Sequence, residues 1–169
     1  WLFTKIYKMC PVSNETLRHN ILYEIEENFA FRDANMIATI LTSPNNPNST
    51  ADPHWAETAK VLITATILHV LCSIDDSSIQ KKSLTGVYEY LAQGSKKDSK
   101  DNVKVALLKN MITSKHCRED IHNSIVNYAS QILSAAEEEM GSIFSSALEA
   151  LSVFNDSYVS YATDDSDFC

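Results

Sequence analysis

Residues 52–74 read DPHWAETAKVLITATILHVLCSI, and this stretch decides the fold. Asp52 can accept hydrogen bonds from the free amides of a first helical turn, and Pro53 suits the first position inside a helix. The apolar run from Val61 to Ile74 is about 14 residues long, whereas a membrane span needs roughly 20. A helix that is apolar on almost every side lies inside a bundle. The sequence therefore predicts a central apolar helix over about residues 53–74.

Shorter segments with apolar residues at steps of three and four flank this helix on both sides, which predicts further helices packed around it. They comprise a helix capped by Asn14, an amphipathic helix over 33–42, one from the Asp75-Asp76 pair to about Gln93, and one over about 102–113. Residues 43–51 show no periodicity and contain two prolines, which is typical of a loop.

The C-terminal third carries the longest periodic pattern in the chain. Apolar residues recur every three or four positions from Ile121 to Phe154, which predicts one helix over about 119–154, roughly 54 Å long, with a kink near Gly141. The whole chain has only 3 glycines and 4 prolines, fewer than sheets and phosphate loops use. We therefore expect an all-α fold, a single compact multi-helix bundle that forms one domain over residues 1–169.

The net charge and the cysteines indicate which binding partners and which cellular compartment suit this chain. The formal net charge of −8 disfavours generic nucleic-acid binding, because such binding depends on cations that meet phosphates. Lysines nevertheless cluster in one part of the sequence, at Lys81, Lys82, Lys96, Lys97, Lys100, Lys104 and Lys109. This cluster is interpreted either as a solvated helix face and loop or as a patch that contacts phosphates. The four cysteines lack CxxC spacing, which favours a reducing compartment. The chain begins at Trp1 without a signal-peptide pattern, so we expect a soluble fragment of a larger protein.

Motifs for catalysis, cofactors or metals are missing from this sequence. It contains no glycine-rich phosphate loop, GxSxG, HExxH or paired CxxC. The stretch from His116 to His122 holds potential metal ligands, but its spacing matches no zinc pattern, and on one helix these two histidines would point apart. His69 in the apolar run is interpreted as a core histidine bonded to a neighbour. We expect no catalytic residue, metal or cofactor in this chain.

Three stretches together resemble a known family. The first is RDA (32–34), followed by Ile37-Ala38 and residues 41–44; the second is DPHW (52–55) with its apolar helix. The third is EMGSIFSSA (139–147), followed by SDF at 166–168. Their order and content resemble the coupling proteins of bacterial type IV secretion and conjugation systems, the TraG/TraD-like ATPases. The stretch from Arg18 to Ile25 loosely resembles the entry segment of that family, while the lysine-rich loop 96–100 has no counterpart in the pattern.

The resemblance implies the setting of the chain. In such proteins an all-α domain is inserted in a RecA-like ATPase domain, so the ATPase motifs of the parent would lie outside this chain. The parent would be a hexameric, membrane-anchored protein of the bacterial inner membrane, with this domain in the cytoplasm. Because both ends of an inserted domain meet one host, the regions near Trp1 and Cys169 should lie close together.

Three functions follow as expectations. The first is recognition of export substrates, either effector proteins or a relaxase–DNA complex, through acidic residues that attract basic C-terminal signals. The candidate residues are Glu137, Glu138, Glu139, Asp75 and Asp76. The second is direct DNA binding through Lys96, Lys97, Lys100, Lys104 and Lys109. The third is oligomerisation or docking of an adaptor protein without substrate contact.

Overall fold

The central apolar helix is present and forms the axis of the fold. The computed structural model describes residues 8, 10, 12–13, 15–43, 53–95 and 103–167, apart from the Pro53 side chain. Helix α2 runs from Pro53 to Cys72 within them, and every residue from Val61 to Val70 is buried. The buried hydroxyls of Thr64 and Thr66 donate to the Lys60 and Leu62 carbonyl oxygens at 2.8 Å, which satisfies them within the helix.

Six further α-helices surround α2 in the described part of the chain, which contains no β-strand. They are α1 (Ala30–Thr42), α3 (Leu84–Ala92), α4 (Val103–Thr113), α5 (Glu119–Leu133), α6 (Glu137–Ala150) and α7 (Ser157–Thr163). Short 3-10 turns occupy Ile21–Glu24, Glu27–Phe29, Gln93–Ser95 and Ser152–Asn155. The all-α multi-helix bundle predicted from the sequence is therefore confirmed. The proposed caps Asn14 and Asp52 and most of the 43–51 loop lie outside the described residues. The helix predicted after Asn14 is wrong, because residues 15–20 are not helical and only a 3-10 turn follows, and the helix predicted from Asp75-Asp76 begins only at Leu84.

Helices α1, α5 and α6 pack directly against α2, and α4 packs against α5. Close approach of α1 is made possible by Ala30, Ala34 and Ala38, which place small side chains at every fourth position of its buried face. By length and composition, the part of α2 from His54 to Cys72 could also cross a membrane. Its burial among these neighbours gives the apolar surface a partner inside the bundle.

The prediction of one helix over about 119–154 with a kink near Gly141 is wrong. Helix α5 ends at Leu133, α6 begins at Glu137, and Ala136 between them is extended, with φ −60° and ψ 152°. Gly141 lies inside α6, and a Cβ added there would meet nothing within 4 Å. Because acidic side chains are stabilised at a helix N-terminus, the three glutamates at 137–139 are a start signal for a new helix.

The N-terminal and C-terminal parts of the described chain meet side by side. The Arg18 guanidinium donates to two carboxylates of the C-terminal segment, to Asp167 Oδ1 at 2.6 Å and to Asp165 Oδ2 at 3.1 Å. Backbone bonds join the same segments, from Asp167 N to Arg18 O at 3.1 Å and from His19 N to Ala162 O at 2.8 Å. Trp1 and Cys169, for which proximity was predicted, lie outside the described residues.

One buried and one partly buried polar side chain, those of Asn20 and Asp164, connect this junction to the start of α3. Asn20 is fully buried; its amide nitrogen donates to Lys82 O and Asp164 O at 2.8 and 3.2 Å, and its amide oxygen accepts from Leu22 N. Asp164 accepts from Lys81 Nζ at 2.6 Å and from Ser83 Oγ at 2.7 Å. Burial disfavours the carboxylate, but these hydrogen bonds outweigh it and lower the pKa of Asp164.

We expect the substitution Asn20→Ala to destabilise the chain by roughly 3 kcal/mol, because it leaves one buried and two partly buried backbone groups without their side-chain partner. Chemical denaturation of the wild type and the variant measures the difference in free energy of unfolding. The control is Asn123→Ala, which removes an exposed amide on α5 and should cost less than about 0.5 kcal/mol. Equal losses in the two variants would show that the junction does not depend on Asn20.

Candidate functional site

The five acidic residues proposed for substrate recognition lie at opposite ends of α2. Glu137, Glu138 and Glu139 form the first turn of α6, and His54 Nε2 at the start of α2 lies 3.5 Å from Glu139 Oε1. Asp75 and Asp76 follow the last residue of α2. A helix of 20 residues is about 30 Å long, so these two acidic groups cannot form one surface.

Asp76 is a buried structural carboxylate rather than a surface charge. Its side chain is 5% exposed and accepts from His69 Nε2 at 2.9 Å, from Asn110 Nδ2 at 2.5 Å and from Ser78 N at 2.8 Å. Burial opposes its ionisation, but the hydrogen bonds from Ser78 and His69 outweigh burial and lower the pKa of Asp76. Neighbouring Asp75 is exposed and accepts from Lys115 N at 3.0 Å.

Asp76 begins a chain of three hydrogen-bonded histidines, which we call the histidine chain: His69, His116 and His122. His69 Nδ1 lies 2.9 Å from His116 Nε2, and His116 Nδ1 lies 2.8 Å from His122 Nδ1. Because the Asp76 carboxylate can only accept, neutral His69 donates through Nε2 and accepts through Nδ1. His116 must then donate through Nε2, and His122 through Nδ1, which leaves His122 Nε2 as the free acceptor of the chain.

The expectation that His116 and His122 point apart is wrong. His116 precedes α5 and forms an isolated antiparallel β-bridge with Ser73, so the two histidines do not share one helix. The interpretation of His69 as a core histidine bonded to a neighbour is confirmed, with bonds at both ring nitrogens. Among the residues that the structure describes, no three His, Cys, Asp or Glu side chains converge as metal ligands would.

A groove opens where the first turns of α2 and α6 meet the end of α5, and we call it the acidic groove. It has a volume of about 320 Å³. Its lining residues are His54, Thr58, Val61, Gln131, Ile132, Ser134, Ala135, Glu139 and Ile143. The groove lies at the break between α5 and α6, where Ala136 is extended and the preceding Ser134 and Ala135 form part of the lining. Apolar side chains form part of its wall, and Glu139 supplies the negative charge.

A shallower depression lies beside the acidic groove. Its lining includes Trp55, Lys104, Glu138 and Ser142. Trp55 is half-buried and packs against the core, while its remaining surface faces this depression, so it both packs the bundle end and borders the surface. Glu138 and Glu139 therefore project to two neighbouring concave surfaces from adjacent positions of one helical turn.

The lysines proposed for DNA contact do not form one patch among the described residues. Lys104 and Lys109 are both on α4, but five helical positions correspond to a rotation of about 140°, so they face different directions. Lys104 is half-buried and borders the depression that also contains Glu138. Lys96, Lys97 and Lys100 lie outside the described residues.

The sequence model of the family described as type IV secretory system conjugative DNA transfer matches residues 2–169. The chain belongs to this family. It is 29% identical over 136 residues to the conjugal transfer protein TraG of Escherichia coli, a match that covers 80% of this chain and 20% of that protein. The chain thus spans about a fifth of the length of that relative. No solved structure matches it.

Membership of the family agrees with the resemblance drawn from residues 32–44, 52–71 and 139–168, and the structure shows how part of that pattern is used. Arg18, at the start of the entry segment, is bound to Asp167 of the SDF exit. His54 of the DPHW stretch, in the first turn of α2, lines one side of the acidic groove, and Glu139 of EMGSIFSSA lies at the other. Sequence reasoning missed the histidine chain, although Asp76, His69, His116 and His122 were each visible as single residues.

We expect the free energy of unfolding to fall as the pH is lowered from about 6.5 to about 4. Burial lowers the pKa of His69, and burial together with His69 and His122 lowers the pKa of His116 to about 4. In the unfolded chain these histidines bind protons near pH 6.5, so stability is fully present above that value and is lost towards pH 4. Denaturation at a series of pH values measures this slope.

The variant His116→Gln should show a shallower slope over this range. The difference should be smaller than about 1.4 kcal/mol per pH unit, since His116 is partly exposed and one proton sets the upper limit. His54→Gln, which removes an exposed histidine, controls for the loss of one imidazole. Identical slopes in both variants would mean that the histidine chain does not resist protonation.

Proposed function

We propose that this chain is the cytoplasmic substrate-recognition domain of a type IV secretion coupling protein, and that the acidic groove binds a basic segment of the export substrate. The substrate would be an effector protein or the protein part of a relaxase–DNA complex. The observation that carries the proposal is the acidic first turn of α6 beside a groove with apolar walls. Apolar contacts would hold an extended peptide, and the glutamates would select basic side chains.

Charge and exposure support this groove over the other acidic residues. Glu137 and Glu138 are exposed, and Glu139 is half-exposed at the groove wall. Asp76 is occupied by His69 and Asn110, so it is not accessible to a peptide. The recognition surface proposed here therefore comprises Glu137, Glu138 and Glu139 with the groove, without Asp75 and Asp76.

The whole protein of which this chain spans a part is proposed to be a membrane-anchored, hexameric ATPase of the bacterial inner membrane. Its nucleotide-binding motifs would lie in a RecA-like domain into which this chain is inserted. The pairing of Arg18 with Asp165 and Asp167 supports insertion, because it brings the incoming and outgoing segments together.

The recognition proposal is tested by fluorescence anisotropy with a labelled peptide of alternating arginine and leucine residues. Glu138→Gln/Glu139→Gln should weaken binding about three- to tenfold, since exposed ion pairs contribute up to about 1 kcal/mol each. Glu149→Gln/Glu119→Gln is the matched control, because it also removes two exposed glutamates but lies away from the groove lining. It should change affinity less than twofold at near-physiological salt.

Two outcomes would contradict this proposal. Equal weakening by both double variants would indicate a response to net charge alone. Binding of a single-stranded oligonucleotide that decreases steeply with salt, without peptide binding, would favour the DNA-binding alternative and a role for Lys104 and Lys109. Thermal unfolding of each variant is needed beside the affinities, because neutral side chains in the first turn of α6 also weaken the helix.

The insertion proposal predicts that this chain and a host protein both stay folded when the chain is inserted into a loop of the host. We expect a host protein with this chain placed in an exposed loop, through short glycine linkers, to unfold within a few degrees of the unmodified host. The host should be disturbed little, because the segments at Arg18 and Asp167 lie side by side and a longer flexible loop costs only about 0.6 kcal/mol per doubling of its length. Calorimetry of both proteins measures the difference. The matched control is an insert that carries Arg18→Ala/Asp167→Ala, which should lower the unfolding temperature of the host further. A host that is unfolded when it carries the native insert would contradict the proposal.

A further inference from the structure

Two cysteines face each other where the end of α2 meets the connection between α4 and α5. The Ser73–His116 β-bridge sets the local register there, with Ile74 N donating to Lys115 O and Cys117 N donating to Cys72 O, both at 2.9 Å. In this register Cys72 lies directly opposite Cys117. Paired residues of an antiparallel bridge direct their side chains to the same face.

The spacing at such a position suits a disulfide bond. A hydrogen-bonded antiparallel pair has its Cα atoms roughly 5.5 Å apart. Disulfides usually join Cα atoms separated by about 4.4–6.8 Å, with most near 5.5–6 Å. Cys72 is the last residue of α2, and the adjacent Ser73–His116 β-bridge places Cys117 beside it. Little backbone movement is therefore needed to join the two sulfur atoms.

The two thiols differ in accessibility. Both cysteines are reduced in the structure; Cys117 is exposed, whereas Cys72 is half-buried. Burial raises the pKa of Cys72 to about 12, and the neighbouring Cys117 thiol contributes in the same direction. Cys117 is thus the thiol that an external reagent reaches first, and Cys72 is placed to react second.

We propose that Cys72 and Cys117 form a modification site that a small-molecule disulfide converts reversibly into an intrachain disulfide bond. In the first step the Cys117 thiolate attacks one sulfur of oxidised glutathione, forms a mixed disulfide and releases one glutathione thiolate. In the second step Cys72 loses its proton to solvent, its sulfur attacks Cys117 Sγ, and the second glutathione thiolate leaves. Two cysteine thiols are oxidised by two electrons, and one oxidised glutathione is reduced to two glutathione molecules.

The bond would fasten the end of the central helix to the segment that carries His116. It would close a loop of about 45 residues that contains α3 and α4. Folding and disulfide formation are thermodynamically linked. The free energy by which folding favours the disulfide equals the free energy by which the disulfide stabilises the folded chain. This inference does not depend on the acidic groove or on peptide binding.

The test is a thiol–disulfide equilibrium of the full chain carrying Cys10→Ser/Cys169→Ser, which leaves only Cys72 and Cys117. The chain is equilibrated with mixtures of reduced and oxidised glutathione, quenched with acid and measured by intact mass. The same measurement in concentrated guanidinium provides the matched control, because the thiols are identical but no longer juxtaposed. We expect the equilibrium constant for disulfide formation to be roughly 30- to 1000-fold larger in the folded chain.

Peptide mapping of the oxidised folded chain should then find residue 72 linked to residue 117, and reduction should restore the original mass. Adding Cys72→Ser should stop the reaction at the glutathione adduct of Cys117. An equilibrium constant no larger in the folded chain than in the denatured one would overturn the proposal. Disulfide-linked dimers in place of the intrachain product would overturn it as well.

Discussion

A helix can be buried on every side only if each of its polar groups finds a partner inside the bundle, and His69 is the largest polar side chain on the buried part of α2. Its ring has no contact with solvent, so both nitrogens need partners. Asp76 satisfies one and His116 the other. These two bonds bring together three separate pieces of the chain: the end of α2, the turn after it and the connection before α5. The β-bridge and the cysteine pair lie at the same place, so the junction between the end of α2 and the connection before α5 is organised around one buried imidazole.

Sequence periodicity predicted the fold class well because helix formation and burial leave the same local signal. The range 53–74 differs from α2 by two residues at its C-terminus, where Ser73 leaves the helix to form a β-bridge. The same periodicity misled in the C-terminal third. Apolar residues keep steps of three and four across residues 134–136, because α5 and α6 both pack against α2 and present continuous apolar stripes. The information about the break was in the charges, since Glu137–Glu139 mark a helix N-terminus.

The candidate sites were less predictable, because they depend on residues that are distant in sequence. Asp76 looked like a free surface acid next to Asp75, and only the positions of His69 and Asn110 show that it is occupied. His116 and Cys117 could not be connected with α2 from spacing, since the β-bridge is an isolated pair outside any strand. Glu139 was proposed from the charge run alone; the apolar wall beside it, which distinguishes a groove from a solvated face, required the structure.

The acidic first turn of α6 has a structural reason to exist that is independent of recognition. Glutamates there interact favourably with the helix dipole, each by about 0.3–1 kcal/mol. That stabilisation is present in the free chain and in any complex, so it cancels from the difference in binding free energy. A peptide whose basic side chain meets Glu139 must instead compete with His54, which already lies 3.5 Å from the same carboxylate. Removing this imidazole would take away that competitor, so a recognition role for this groove requires that His54→Gln not weaken peptide binding. Dipole stabilisation alone carries no such requirement, and this difference separates the two explanations of the same three residues.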